Sequence, residues 1–481
     1  MTADAHRDHG IHPNVILAVT ALAGMAYSML SSAVIPALPS IQHSLGATET
    51  GVTWLLTGYL LSASVATSII GRLGDMYGKE RLLLITLGIL GAGTIVSALS
   101  TSLGPMIVGR IIQGAGGGIF PLAFGIVRDE FPRERVAGSI GILSSILGIG
   151  GGIGIVLGGL IVQHLDYHWL YWIPLVVTVA AAFCTWRFVP ESPVRVPGRV
   201  NWLAAALMTA GFCCMLIAIS MTTTWGWGSS KTLGLLAVGI ALTVAWVLVE
   251  LHSEVPLIDM AMMRIRGVWT TNLVAFLLGA GMYASFLILP QFAQLPTSTG
   301  FGFGASVVVA GLYLLPAAFG MSALGSVAGR VARRWGSKNA VIVGSGITSL
   351  AFFVLAVAHG HPYDMLISAA LMGIGIGLAF AALGNLIVQA VPPEQTGAAT
   401  GMNTVMRTLG GALGGQIVAT LIADNVSHGL PNVTGFTQAL LLQAGFLVVA
   451  MFAGTLIPSR RPDFSTVSLE QPELSPMQEV G

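Results

Sequence analysis

GRLGDMYGKER, residues 71–81, is an eleven-residue polar island between two apolar runs, 52–70 and 82–100. Each run is long enough to cross a bilayer as a helix, since ~20 residues at ~1.5 Å rise span ~30 Å of hydrocarbon. The island therefore reads as a tight loop on one membrane face. Gly71, Gly74 and Gly78 let the backbone turn closely, and Asp75, Lys79 and Arg81 supply charge. A fainter copy, GRVARRWGSKN at 329–339, follows 258 residues later, again between apolar runs. Gly71, Arg72 and Gly78 have counterparts in Gly329, Arg330 and Gly336, whereas Arg333 stands where Asp75 would be. One loop type used twice at half-chain spacing points to a duplicated membrane protein.

Composition supports that reading. Of 481 residues 54% are apolar and 9% charged, against roughly 25% charged in soluble domains. A net charge of +1 argues against nucleic-acid binding, which needs a basic stripe. Cys184, Cys213 and Cys214 all fall in apolar runs, and the adjacent pair points to different sides of a helix, so packing is expected rather than a disulfide. The polar segment 1–13 is short, and the apolar run after it is too long for a signal peptide and lacks a small-residue cleavage site.

Fourteen spanning helices are expected, near 15–37, 52–71, 82–100, 105–127, 137–163, 169–188, 202–221, 232–251, 269–292, 307–328, 340–358, 365–391, 399–423 and 436–457. The charges test the count. Fourteen spans put both termini on one side. Arg110 and Arg407 fall inside spans, and of the other 19 Lys and Arg all but Lys231 then lie on that shared side. Among them are Arg128, Arg133, Arg135, Arg195, Arg199, Arg264 and Arg266. Positive residues mark the cytoplasmic face, so both ends are expected inside and the chain multi-pass in the cell membrane. A missed or invented helix would scramble the sorting downstream of the error.

The repeat extends past the loop. Gly141, Gly150, Gly151 and Gly154 match Gly401, Gly410, Gly411 and Gly414 at a constant offset of 260. Spans one to six thus correspond to nine to fourteen, and seven and eight are an inserted pair. The expected organisation is a cytoplasmic N-terminus at 1–14, a six-helix bundle at 15–200 and an inserted pair at 201–251. A cytoplasmic linker at 252–268, carrying Glu254, Asp259, Arg264 and Arg266 and a short interfacial helix, leads to a second six-helix bundle at 269–457 and a disordered tail at 458–481.

Few residues are placed to do chemistry. The glycine clusters 114–118, 148–159 and 373–377 lack a P-loop lysine and a strand–loop–helix context; glycines four apart instead let helices cross closely. Arg110, with Gln113 nearly a turn on, lies about five residues inside the outer start of span four, where a charge is functional by default. The bland reading is an arginine that snorkels to the interface. Arg407, with Asn403 one turn earlier, is similar. His164, Asp166 and His168 form an HxDxH pattern at the outer end of span five, where metal binding competes with a solvated loop beside the aromatic belt Tyr167, Trp169, Tyr171 and Trp172. His359 and His361 sit in another outer loop. Tyr59, Asn272, Tyr283, Gln291, Tyr313, Asn385 and Gln389 are the polar and aromatic residues that could line a cavity or hold helices together. No HExxH, GxSxG or comparable catalytic set is present, and no metal or cofactor is expected.

Residues 71–81, between spans two and three, resemble the signature loop of the major facilitator superfamily. Arg110-Ile-Ile-Gln113-Gly114 resembles its span-four motif, and Gly150, Gly154, Gly158 and Gly159 its glycine-rich antiporter motif. Fourteen spans with an inserted pair, and Ala37-Leu38-Pro39 after span one, are similar to the drug:proton antiporter branch. Ile155 stands where the antiporter motif has proline, and Leu30 where the branch places an aspartate; no Asp or Glu lies deep in any span. The resemblance implies a monomeric all-α transporter that exports hydrophobic or amphipathic small molecules in exchange for protons. An uptake carrier or facilitator is the alternative, and a membrane-embedded enzyme or sensor the alternative of another class. It assigns gating to Gly71, Arg72, Gly74, Asp75, Gly78, Arg81 and Arg135, with Asp75 capping a neighbouring helix end or pairing with an arginine such as Arg135. It assigns coupling to Arg110 and Gln113, and Arg407, a charge inside span thirteen, is expected to share that role on position alone. With no deep carboxylate available, Asp166 is the first candidate for the proton carrier beside Arg110.

Overall fold

The structure, a computed structural model, describes residues 12–47, 49–192, 201–253, 256, 258–299, 301–427 and 430–458. The N-terminal residues 1–11, Arg195, Arg199, Glu254 and the tail from 459 lie outside the described residues.

The first half comprises α1 (Pro13–Ala33), the short α2 (Leu38–Leu45), α3 (Glu49–Tyr77), α4 (Lys79–Ala98), α5 (Leu103–Gly114), α6 (Ile119–Glu130), α7 (Arg133–His164) and α8 (Trp169–Phe188). A 3₁₀ turn at Ala115–Gly118 joins α5 and α6 into one span. Next come α9 (Trp202–Ser220), the four-residue α10 (Thr222–Trp225), α11 (Ser230–Leu251) and the five-residue α12 (Met260–Arg264), whose N-terminus is capped by Asp259. The second half holds α13 (Arg266–Met282), α14 (Ser285–Gln294), α15 (Val307–Leu312), α16 (Leu315–Trp335), α17 (Ser337–Val357), α18 (Pro362–Ala390), α19 (Thr396–Asp424) and α20 (Val433–Gly454). A two-residue ribbon, β1 (Val426–Ser427) with β2 (Leu430–Pro431), lies between the last two.

Among the described residues, thirteen stretches are long and apolar enough to cross a bilayer. The missing fourteenth is the segment expected as one helix over 269–292, which breaks at Tyr283–Ala284 into α13 and α14. Gly279 and Gly281 weaken the helix just before the break. The expected span 307–328 also breaks, at Tyr313–Leu314. Pro316 explains this: its ring would clash with the carbonyl of Leu312, where α15 ends.

The signature stretch itself is corrected. It is not an eleven-residue loop, because α3 stays helical through Tyr77 and α4 begins at Lys79. The turn is Gly78 alone, at φ 109°, and its counterpart Gly336, at φ 81°, turns α16 into α17. Both occupy backbone conformations open to glycine and strained for other residues. Gly71 and Gly74 serve close packing instead of turning.

The halves repeat one packing scheme. In the first, α1 packs on α7 and α8, α5 on α3 and α4, and α4 on α8; in the second, α13 packs on α19 and α20, α18 on α16 and α17, and α17 on α20. The 260-offset glycines, together with Gly158, explain how closely α1 meets α7 and α13 meets α19. A Cβ on Gly150, Gly154 or Gly158 would strike Ser28, Ser32 or the Ala33 carbonyl on α1, and one on Gly410 or Gly414 would strike the Phe276 or Ala280 carbonyl on α13. The halves meet along two equivalent seams, α3 with α19 and α16 with α7. Of the inserted pair, α9 packs on α3 and α19 while α11 packs on α9 and exposes Leu233, Val238, Ile240, Val244 and Leu248, an apolar face suited to lipid.

Candidate functional site

The end of the bundle that carries Gly78 and Gly336 is here termed the basic end. There α3 and α19 approach so closely that a Cβ on either Gly71 or Gly397 would fall on the other's carbonyl. That contact sets Asp75, one turn further along α3, against the first turn of α19. Its carboxylate is buried and accepts the Gly397 N–H at Oδ1 and the Ala398 N–H at Oδ2, each at 3.2 Å. A helix N-terminus carries unsatisfied donors and about half a positive charge, so a carboxylate there is a charged cap. Arg128, in the last turn of α6, does the converse. It donates to the Val391 carbonyl at 2.8 Å and the Pro392 carbonyl at 3.4 Å, beyond the C-terminus of α18, and to Thr396 Oγ1 at 2.6 Å. An anion and a cation of the first half therefore hold the facing helix ends of the α18–α19 turn.

A buried ion cluster backs the clamp. Lys79 Nζ donates to Asp129 Oδ2 at 2.6 Å and lies 3.7 Å from Asp75 Oδ1, and Ser192 Oγ also donates to Asp129. Gly125 leaves room for the lysine stem and Gly74 for Leu122. Arg72 lies within electrostatic reach of Asp75. Arg81 and Arg135 are exposed; Arg135 is not among the groups that meet Asp75.

Arg110 is fully buried on α5. Its Nε donates to the Leu55 carbonyl at 3.0 Å, and one terminal nitrogen donates to the Leu30 carbonyl at 3.0 Å and to Gln113 Oε1 at 2.9 Å. Gln113 in turn donates to Ser97 Oγ at 3.2 Å. The guanidinium also lies 4.2 Å from the centroid of the Tyr59 ring. Main-chain carbonyls of α1 and α3 thus do what a carboxylate would, and Leu30 contributes its backbone where a side-chain acid was missing from the sequence. An arginine held this way does not snorkel.

Asp166 is not brought to Arg110. It is exposed and turned onto His168, accepting the His168 N–H at 2.9 Å and contacting the imidazole. That N–H holds the carboxylate below the usual range, with help from the ring, against the opposing effect of burial. It therefore stays ionised across neutral pH and is a poor proton acceptor. Among the described residues no cluster of three metal-ligating side chains forms, so HxDxH is a loop that orders itself.

Aromatic rings of the two halves gather near one another. Tyr27 of α1 stacks on Tyr59 at 5.9 Å and meets Phe120 edge-on at 6.2 Å; Tyr59 itself is buried one layer behind. From the other half, Tyr283 packs its ring on Gly411, and both Tyr283 and Arg407 lie within electrostatic range of Tyr27. Arg407 is half-buried, 4.6 Å from the centroid of the Phe380 ring. The remaining cavity candidates separate. Asn385 donates to the Ala137 carbonyl at 3.1 Å and bonds α18 to α7, and Asn272 accepts from Asn403 at 3.0 Å and bonds α13 to α19. Both are buried helix-to-helix contacts. Gln291 is exposed, Gln389 half-buried, and Tyr313 lies edge-on to Phe303 at 6.0 Å. Arg128, Asp129, Tyr27 and Phe380 were not singled out from sequence; a basic–acidic pair closing a helix and a tyrosine in an otherwise apolar span were the available signals.

A family model described as Major Facilitator Superfamily matches residues 19–415 and again 271–479. The chain is 27% identical over 387 residues to "Multidrug resistance protein 3" of Bacillus subtilis (strain 168), covering 79% of this chain and 73% of the relative. It is also 27% identical over 421 residues to the "Tetracenomycin C resistance and export protein" of Streptomyces glaucescens, covering 86% and 77%. Among solved structures, the human organic anion transporter MFSD10 superposes with a TM-score of 0.66 at 15% identity, over 92% of this chain and 99% of the other.

Proposed function

Because the chain belongs to the major facilitator superfamily and is a membrane transporter, we propose that it exports small hydrophobic or amphipathic molecules across the cell membrane, in exchange for protons, by alternating access. In this reading it works as a monomer, the basic end faces the cytoplasm, and residues 15–200 and 269–457 are the two bodies that rock. The observation that carries the proposal is the clamp. Asp75 and Arg128 of one half grip the ends of α18 and α19 of the other, a contact of the kind that alternating access would make and break. Export as the direction rests on the two relatives whose names record resistance, one of them export.

Asp75 is the carboxylate that joins the halves. Protonating it removes the charge that the α19 terminus and Lys79 hold, so proton binding and clamp opening are linked. The test is accumulation of fluorescent substrate in everted vesicles under an imposed pH gradient that is later collapsed, for wild type, Asp75→Asn, Asp166→Asn and Arg110→Ala. Gradient-driven accumulation by wild type and by Asp166→Asn, lost in Asp75→Asn, is expected. Wild-type accumulation indifferent to the gradient refutes proton exchange, and accumulation in right-side-out vesicles instead refutes export.

A further inference from the structure

We propose that the space between the halves is built for anionic aromatic substrates, with Arg407 as the residue that docks the acid group; this rests on the transport reading above and names its substrate class. Arginine cannot shed its proton in a protein, so Arg407 is a permanent cation. Its Nε is buried and donates no hydrogen bond, and among the described residues no carboxylate is in ion-pair contact with it. Arg110 differs in degree: its Nε and one terminal nitrogen donate to two main-chain carbonyls and a glutamine, and only its other terminal nitrogen is left without a partner. Arg407 has the Phe380 ring on one side, and one cation–π contact recovers only a small part of what desolvating a charge costs. What is left over is a forked donor within electrostatic range of Tyr27, which is itself in range of Tyr283. A flat ring carrying a carboxylate or sulfonate would lie between these aromatics and accept from the fork. A lipophilic cation would meet Arg407, and Arg110 behind Tyr59, with no acid to offset them.

Three molecules of one shape isolate the charge: 2-naphthoate, 2-naphthamide and 2-naphthylmethylammonium, titrated calorimetrically into the purified full chain. Wild type should bind the carboxylate at least ten times more tightly than the ammonium. Arg407→Gln should weaken naphthoate roughly 10- to 100-fold, the range for a hydrogen bond to a charged group, with naphthamide unchanged, which also reports that the variant is folded. Arg407→Lys should recover part of the loss, because it keeps the charge without the fork. The assignment is overturned if wild type prefers the ammonium, if it binds no naphthoate up to the solubility limit, or if naphthoate affinity is indifferent to Arg407→Gln. Everted vesicles separate this from the export reading. Arg407-dependent binding without accumulation of naphthoate leaves the site standing and sinks export, whereas accumulation of the ammonium by wild type and Arg407→Gln alike does the reverse.

Discussion

Replacing Asp75 by Asn keeps the side-chain shape and removes the charge. In the wild type both carboxylate oxygens accept main-chain N–H groups of α19, at Gly397 and Ala398. In the variant one position becomes an NH₂ group, so a buried donor faces another donor. The loss combines a charge at a buried helix N-terminus with an unsatisfied buried N–H, together about 2–3 kcal/mol, or roughly 30- to 150-fold in the equilibrium between clamped and open halves. Lys79 stays satisfied through Asp129 at 2.6 Å, so the cluster behind the clamp survives. The assay is the distance between spin labels at Tyr77 on α3, which is 48% exposed, and at exposed Glu394 in the α18–α19 turn. The background would replace Cys184, Cys213 and Cys214 with alanine. Wild type should give one short distance and Asp75→Asn a second, longer population. Distributions that superimpose would show that the carboxylate does not hold the halves, and the clamp would be only a static cap.

Arg128→Ala removes three donor contacts to the same turn and should open the clamp similarly; in a double-mutant cycle with Asp75→Asn the effects should fall short of additive by at least about 0.5 kcal/mol, since both act on one interface. Gly397→Ala pushes a methyl into the Gly71 carbonyl and should cost about 1–3 kcal/mol in detergent thermal unfolding, whereas Gly151→Ala on α7, which faces open space, should be neutral or slightly stabilising. The lowered pKa of Asp166 means that its bond to His168 is fully present above the ordinary aspartate range and is lost only as pH falls through the lowered value. Asp166→Asn should therefore leave the pH dependence of transport unchanged between pH ~5.5 and ~8, well above the ordinary aspartate pKa; a displaced profile would return Asp166 to the coupling mechanism.

Much of the fold was legible because two independent records agree in the chain. Charge sorting set an expected count of fourteen, against thirteen described stretches long and apolar enough to span, and the glycine offsets mapped one half onto the other down to matching helix crossings. The breaks at Tyr283 and Tyr313 were not legible from hydropathy, because a broken helix is as apolar as a continuous one. Pro316 was the local sign for the second break. The signature stretch was placed between the right spans but misjudged as a loop, since a single positive-φ glycine suffices to turn a helix back. At the site, Arg110 was visible because a charge in an apolar run stands out. Its partners were not, since they are main-chain carbonyls of Leu30 and Leu55, and any residue offers a carbonyl. Arg128 was hidden for another reason: it looked like one more positive residue at a membrane face, and only the folded chain brings it to the end of α18.

The two seams between the halves are geometric twins with different chemistry. Gly71 meets Gly397 on one, and Gly329 meets Gly138 on the other, yet the carboxylate that caps α19 has Arg333 as its sequence counterpart on α16. Protonation of Asp75 therefore acts directly on the α3–α19 seam, so a fold with near two-fold symmetry would loosen first along that line. The inserted helix α9 lies over that same line, bonded to α3 through Ser220 and Thr57. An insertion there is placed like a splint across the joint that gives way, where it can limit how far the joint parts.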